Sequence, residues 1–278
     1  MVVERRNSFY VEQPEGEPRC AHIDGELFPP LFKPENVRSA KALQSYPDDV
    51  FVVTYPKCGT TLVQHIVCQL MIEDYQPGPG KELFKYAPML ELVGGDLISH
   101  LSRPRVLKSH LNGHNLTISD EAKYILVCRN PKDALVSYYH LIENIKGYNW
   151  ENGGFGVLFE IWMPRFKDSN VLVLKYEEIV QDLRGAIVKI GDFLELTPDS
   201  ETIQQIHQAS TLESMKLDQS RWFPNVLRNP ENFVRKGVTR DWKNYFTREQ
   251  SDRIDRLFEK HFRGTVVVEW WKEEMKWE

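Results

Sequence analysis

Val50-Phe51-Val52-Val53-Thr54-Tyr55-Pro56-Lys57-Cys58-Gly59-Thr60-Thr61 is the stretch on which the fold turns. Its first half is a short, continuous, β-branched apolar run, and such a run suits a strand buried on both faces, as in a parallel sheet. Pro56 to Gly59 interrupt it, and Leu62, Val63, Ile66, Val67, Leu70 and Met71 then recur at three- and four-residue spacing, which predicts a helix. The unit reads strand, loop, helix. The loop offers backbone N–H groups at a helix N-terminus, a glycine permitting close approach, one cation and two hydroxyls, the parts of an anion cradle. Its lysine precedes the glycine, unlike the ATP-binding spacing in which a Gly-rich run leads into Gly-Lys-Ser/Thr. An ordinary βα turn with a surface lysine and a Thr cap would read the same way.

Arg105–His110, Tyr124–Cys128 and Val171–Leu174 repeat the short apolar pattern and predict three further strands. Asn130-Pro131 has the cap and first-position residues of a helix, which runs from Lys132 to about Ile145 with Ala134, Leu135, Tyr138 and Leu141 facing inward. A helix to about Leu194 follows Lys175-Tyr176-Glu177-Glu178, and later helices are expected over Ile203–Ala209 and around Ile254, Leu257, Phe258 and Phe262. Gln76–Gly80 and the Gly and Asn cluster Gly147–Gly156 break regularity. The expectation is an α/β fold, a single domain over 1–278 with a central parallel sheet flanked by helices. Lys57, His110 and Arg129 each follow the C-terminal end of a predicted strand, where ligands of such sheets bind, so one cleft could hold all three.

With 278 residues, 41% hydrophobic and 27% charged, the chain has material for one large ordered domain. A net charge of −5 argues against nucleic acid or an anionic membrane as main partner. Cys20, Cys58, Cys68 and Cys128 show neither metal-ligand spacing nor a disulfide framework, which fits a reducing compartment and no bound metal. Met1–Gly16 is polar, without the apolar core of a signal peptide, and no run nears the roughly 18 apolar residues of a membrane span. A cytoplasmic protein is expected.

Tyr55-Pro56-Lys57-Cys58-Gly59-Thr60-Thr61 resembles the 5'-phosphosulfate-binding motif of the cytosolic sulfotransferases, whose usual form is Tyr-Pro-Lys-Ser-Gly-Thr-Thr-Trp. Arg129-Asn130-Pro131-Lys132-Asp133 through Val136-Ser137-Tyr138-Tyr139-His140 is similar to the family's 3'-phosphate motif, and Arg235-Lys236-Gly237 with Asp241-Trp242-Lys243 to its C-terminal phosphate motif. Lys108-Ser109-His110 resembles the segment with the catalytic histidine, and Leu174-Lys175-Tyr176-Glu177 the strand after the pocket. The matches lie in order from Val50 to about Trp242, and the chain reads as an invertebrate-like member.

The resemblance implies a P-loop-like nucleotide-binding core and transfer of a sulfuryl group from 3'-phosphoadenosine-5'-phosphosulfate (PAPS), leaving the desulfated product PAP, to a hydroxyl of a small acceptor. It implies His110 as general base, Lys57 at the oxygen bridging sulfur and phosphorus, and Lys108 near the sulfuryl oxygens. Cys58, Gly59, Thr60 and Thr61 would hold the 5'-phosphosulfate, and Arg129, Ser137, Arg235 and Lys236 the 3'-phosphate, with Gly237 letting the backbone approach. Leu62, Tyr176, Ser210, Leu212 and Phe233 would line the nucleotide pocket, while residues 1–45 would form an extension and acceptor-side segment. A phenol or a phenolic amine such as a catecholamine leads as acceptor, with steroid alcohols behind; Phe84, Tyr86, Tyr138, Tyr139, Tyr148, Trp150 and Phe155 supply aromatic surface, and Glu143 and Glu151 could pair with an amine. Oligomeric state, a homodimer included, stays open.

Three departures from the family pattern carry expectations. Cys58 replaces the usual serine, and a thiol at a helix N-terminus should have a lowered pKa and react with thiol reagents. Leu62 replaces a tryptophan, so adenine would be held by dispersion. Leu111-Asn112-Gly113 replaces Leu-Pro and predicts a looser loop beside the base. The competing readings are an ATP- and magnesium-dependent phosphotransferase and a nucleotide-binding protein without turnover.

Overall fold

Three short strands, β1 (Tyr10–Val11), β2 (Cys20–Ile23) and β3 (Glu26–Phe28), pair antiparallel, and four others, β4 (Val50–Thr54), β5 (Val106–Ser109), β6 (Lys123–Cys128) and β7 (Val171–Lys175), pair in parallel in the order β5-β4-β6-β7. The computed structural model describes residues 10–11, 20–75, 77, 82–144, 165–223 and 227–278. Tyr148, Trp150, Glu151, Phe155 and the Gly147–Gly156 cluster lie outside them, as do most of Gln76–Gly80 and the side chains of Cys20 and Glu143.

All five residues of β4 are buried, as the unbroken apolar run requires. Period-two alternation divides them between two cores: Phe51 and Val53 face one apolar cluster, Val50 and Val52 the other. Helix α1 (Pro34–Lys41) packs on the first side through Val37 and Ala40. Helix α2 (Thr60–Met71) covers the second with Val63, Ile66 and Val67, each fully buried. Helix α3 (Pro131–Asn144) starts where Asn130 and Pro131 predict, with the Asn130 side-chain oxygen accepting from the Lys132 N–H at 3.0 Å. The helix expected after β7 comes in two pieces, Tyr176–Gln181 and α4 (Leu183–Phe193). Asp182 leaves helical geometry at φ −135° and its carboxylate accepts from the Gly185 N–H at 2.8 Å, so it ends one helix and caps the next. Helices α5 (Ser200–Ala209) and α6 (Arg248–Phe262) complete the layers.

The strand order sets the site. The chain leaves β4 for β5 on one side and returns to β6 on the other, so the connections after β4 and β6 diverge and open a crevice at their C-terminal ends. The opposite edge is closed by Arg105 and Asp49, a buried bidentate pair at 2.7 and 2.5 Å just before β5 and β4.

Candidate active site

The crevice deepens into a cavity of about 440 Å³. Its lining includes Lys57, Gly59, Thr60, Thr61 and Leu62 from the β4 loop and α2, Lys108 and His110 from the end of β5, and Arg129 and Ser137 from β6 and α3. Tyr176 after β7, Ser210 and Leu212 after α5, and Phe233, Arg235, Lys236 and Gly237 from the later loop complete the set. Every residue nominated for catalysis or for the nucleotide reaches this wall except Cys58.

Cys58 corrects two expectations. Its thiol is buried in the first core cluster, 1% exposed, with Sγ 4.0 Å from the Pro56 carbonyl oxygen. Burial pushes its pKa up to about 12, because desolvating the thiolate outweighs the nearby Arg129 cation. The residue is an inert core thiol, and only its backbone can serve an anion.

The β4 loop is bent by two left-handed residues. Lys57 has φ 69° and Gly59 φ 103°, and a Cβ on Gly59 would stand 2.7 Å from Tyr176 Cδ2. Glycine is required there both for its backbone angle and for the ring on top of it. Arg129 ties the loop across the crevice: Nη1 donates to the Lys57 carbonyl at 3.0 Å, and the guanidinium lies 4.3 Å from the Tyr176 ring centroid. The Nε atoms of Arg129 and Arg235 are buried with no hydrogen-bond partner among the described residues.

His110 sits against the end of β4. Its Nδ1 lies 2.8 Å from the Thr54 carbonyl oxygen, which can only accept, so Nδ1 carries the proton and Nε2 keeps its lone pair. Burial, then the cations of Lys108 and Lys57, hold the imidazole pKa well below its usual 6.5, so the ring is neutral at physiological pH. Glu91 fixes the backbone here: its carboxylate, 1% exposed, accepts from the His110 N–H at 2.7 Å and the Ser109 hydroxyl at 3.1 Å. No sequence pattern pointed to Glu91, which lies in the short helix Leu90–Val93 nineteen residues upstream. The Leu111-Asn112-Gly113 turn carries ties of its own: Asn112 Oδ1 accepts from the N–H groups of His114 and Asn115 at 3.1 Å each.

Lys57 Nζ donates to the Phe233 carbonyl at 3.3 Å and lies 4.4 Å from that ring's centroid. Burial, then Arg129, Lys108 and Arg235, lower its pKa to about 7. Burial likewise lowers Lys108 to about 8, against the opposing pull of Glu91. Arg235 and Lys236 both pair with Asp241, at 2.6 and 2.8 Å. Burial alone would raise Asp241, but Lys236, Asn244 and Arg235 more than offset it and leave its pKa at about 2.

Of the aromatic side chains proposed for an acceptor, Tyr138 lines the cavity. Phe84 packs on the first core, Tyr86 meets Tyr75 edge-on in the second, and Tyr139 points to solvent. The apolar wall is made instead by Pro29, Leu31, Phe32, Met89, Leu141 and Phe223.

The sulfotransferase domain family model matches residues 47–266, the span that holds the sheet and the whole cation set. The chain belongs to the sulfotransferase family. This sulfotransferase is 30% identical to human sulfotransferase 1E1, over 82% of its own length and 88% of that protein's. It is 32% identical to the amine sulfotransferase of the rabbit Oryctolagus cuniculus, over 78% and 81% of the two chains. Its fold matches mouse sulfotransferase SULT7A1 complexed with PAP, at TM-score 0.76 and 23% identity over 96% of this chain and 98% of that one. It also matches retinol dehydratase in complex with androsterone and inactive cofactor PAP, at TM-score 0.71 and 20% identity over 90% of each.

The sulfotransferase is accordingly a PAPS-dependent enzyme. Its donor set suits that nucleotide: five cations (Lys57, Lys108, Arg129, Arg235, Lys236) line the cavity, with two buried guanidinium N–H groups still to be satisfied. Gly237, at φ 67°, packs its bare Cα against Leu212, where a Cβ would lie 2.9 Å from Cδ1. Among the described residues no helix is long and apolar enough to cross a membrane.

Proposed function

We propose that the enzyme sulfates the hydroxyl of a neutral phenol, with His110 as general base and the nucleotide held as the family motifs imply. The observation that carries this is the Nδ1–H bond from His110 to the Thr54 carbonyl, which leaves a neutral ring with Nε2 basic in the wall of the cavity. His110 Nε2 takes the acceptor proton; Lys57 and Lys108 hold positive charge beside it, where negative charge grows during transfer. Bound PAPS supplies the sulfuryl group and a phosphate leaving group.

Main-chain N–H groups of residues 58–61 and the Thr60 and Thr61 hydroxyls would hold the 5' end. Arg129, Ser137, Arg235 and Lys236 would hold the 3'-phosphate, Gly237 admitting the backbone, and Leu62, Tyr176, Ser210, Leu212 and Phe233 would surround the base. The apolar wall of Phe32, Met89, Leu141 and Phe223 supports a flat uncharged acceptor. Phenolic amines such as catecholamines come next and steroid alcohols behind them; the side chains of Glu143 and Glu151, which could pair with an amine, lie outside the described residues.

The test is transfer from labelled PAPS to a panel of neutral phenols, phenolic amines and steroid alcohols, with and without chelator. Transfer should survive chelation and favour neutral phenols. His110→Ala should lower turnover by about 10²-fold or more, the usual scale for a general base, while PAP still binds. Equal turnover in the two proteins would remove His110 from the mechanism.

A further inference from the structure

Asp133 lies in the first turn of α3, four residues after Arg129, and is 1% exposed. Its carboxylate reaches more than a hundred residues along the chain. Oδ2 accepts from the Arg240 N–H at 2.7 Å and Oδ1 from the Trp242 N–H at 3.0 Å. Asn130 Nδ2 adds a longer contact to Oδ2 at 3.3 Å. Both main-chain donors flank Asp241, the residue that pairs with Arg235 and Lys236.

Arg240 is held at φ 63°, left-handed geometry a non-glycine residue keeps only where its surroundings enforce it. The two N–H bonds to Asp133 supply that enforcement. One carboxylate therefore sets the distance between two basic groups from remote parts of the sequence: Arg129 at the head of α3, and the Arg235-Lys236 pair on the later loop. The same corner is closed from behind. Asn130 Nδ2 and Trp242 Nε1 both donate to the Glu274 carbonyl, at 3.3 and 2.9 Å, so the two strips share a second anchor.

We infer that Asp133 is a positioning residue for 3'-phosphate recognition, acting through the main chain of residues 240–242 and touching no nucleotide itself. The inference rests on the assignment of Arg129, Arg235 and Lys236 to that phosphate. An asparagine has one acceptor oxygen where the carboxylate has two, so Asp133→Asn must release one of the N–H groups and let the basic loop drift from Arg129.

The experiment compares binding of PAP and of adenosine 5'-monophosphate, which lacks the 3'-phosphate, in wild type and Asp133→Asn by calorimetry. PAP affinity should fall about tenfold, the scale of one charge-assisted hydrogen bond, while the monophosphate changes less than about twofold. Asp133→Glu, which keeps the charge but misplaces it, should fall between. Equal losses for both nucleotides, or unchanged PAP affinity in a folded Asp133→Asn protein, overturn the role. If the variant does not fold, amide exchange in the wild type decides: the Arg240 and Trp242 N–H groups should be protected without nucleotide, and fast exchange at both overturns the proposal. A wild type that binds the two nucleotides equally tightly overturns the phosphate assignment as well, and so is told apart from failure at Asp133 alone.

Discussion

Two lysines of the cavity wall give the site a pH signature. In the free protein Lys57 changes charge near pH 7 and Lys108 near pH 8. An anionic nucleotide binds their charged forms, so its affinity should fall as pH rises through this range, and binding below saturation of the lysines should take up protons. Folding stability should move the other way. In the unfolded chain both lysines hold protons up to their ordinary pKa of 10.5, so between the two values the unfolded state binds more protons and the free protein gains stability with pH. Calorimetry of PAP binding in buffers of different ionisation enthalpy, with Lys57→Met as control, checks the first half; proton release on binding would contradict it. The residues behind this were only partly legible. Lys57, His110 and Arg129 could be found because each ends an apolar run, whereas Glu91 leaves no local pattern, and Asp133, though inside a quoted motif, acts through main-chain N–H groups more than a hundred residues away that the motif does not reveal. Cys58 was misread for a related reason: its sequence position is that of a reactive thiol, but the left-handed bend at Lys57 and Gly59 sends the side chain into the core.

At the scale of elements, the β4 loop depends on a glycine with a ring above it. Gly59→Ala adds a Cβ that must displace Tyr176 and adopt φ 103°, a strain of order 1–3 kcal/mol. PAP affinity should drop by roughly tenfold or more, with the helical circular dichroism spectrum unchanged; wild-type affinity in this variant would mean that the loop can carry a side chain. The strands of the central sheet were readable because burial on both faces leaves runs of Val, Ile and Leu that no surface element tolerates. The helix after β7 was read as one piece because Asp182 and the apolar spacing around it look alike in a helix and in a cap; the carboxylate bond to Gly185 decides. The ribbon of β1–β3 and helix α1 had no such signal, since short strands with polar neighbours do not alternate long enough to register. Yet Pro29, Leu31 and Phe32, just after that ribbon, form part of the apolar wall.

For the molecule as a whole, the sheet separates what holds the fold from what it does. Arg105 and Asp49 pair at 1% and 0% exposure on the edge away from the crevice. Asp49→Ala leaves a guanidinium buried without its counter-charge and should cost about 3–5 kcal/mol of stability, read as a lower midpoint of urea unfolding. PAP affinity at 10 °C should stay within about twofold of wild type, well under the 1.4 kcal/mol of a tenfold change; a large loss of affinity would show that the two edges are not independent. The five cations around the cavity have a consequence beyond binding strength. The chain carries −5 overall, yet at physiological salt that charge is largely screened beyond about 8 Å, so an anionic nucleotide at the mouth responds chiefly to the cations nearest it. Added salt should therefore loosen the hold of these side chains on the donor, and the ionic strength of its surroundings becomes a setting on how readily the enzyme loads.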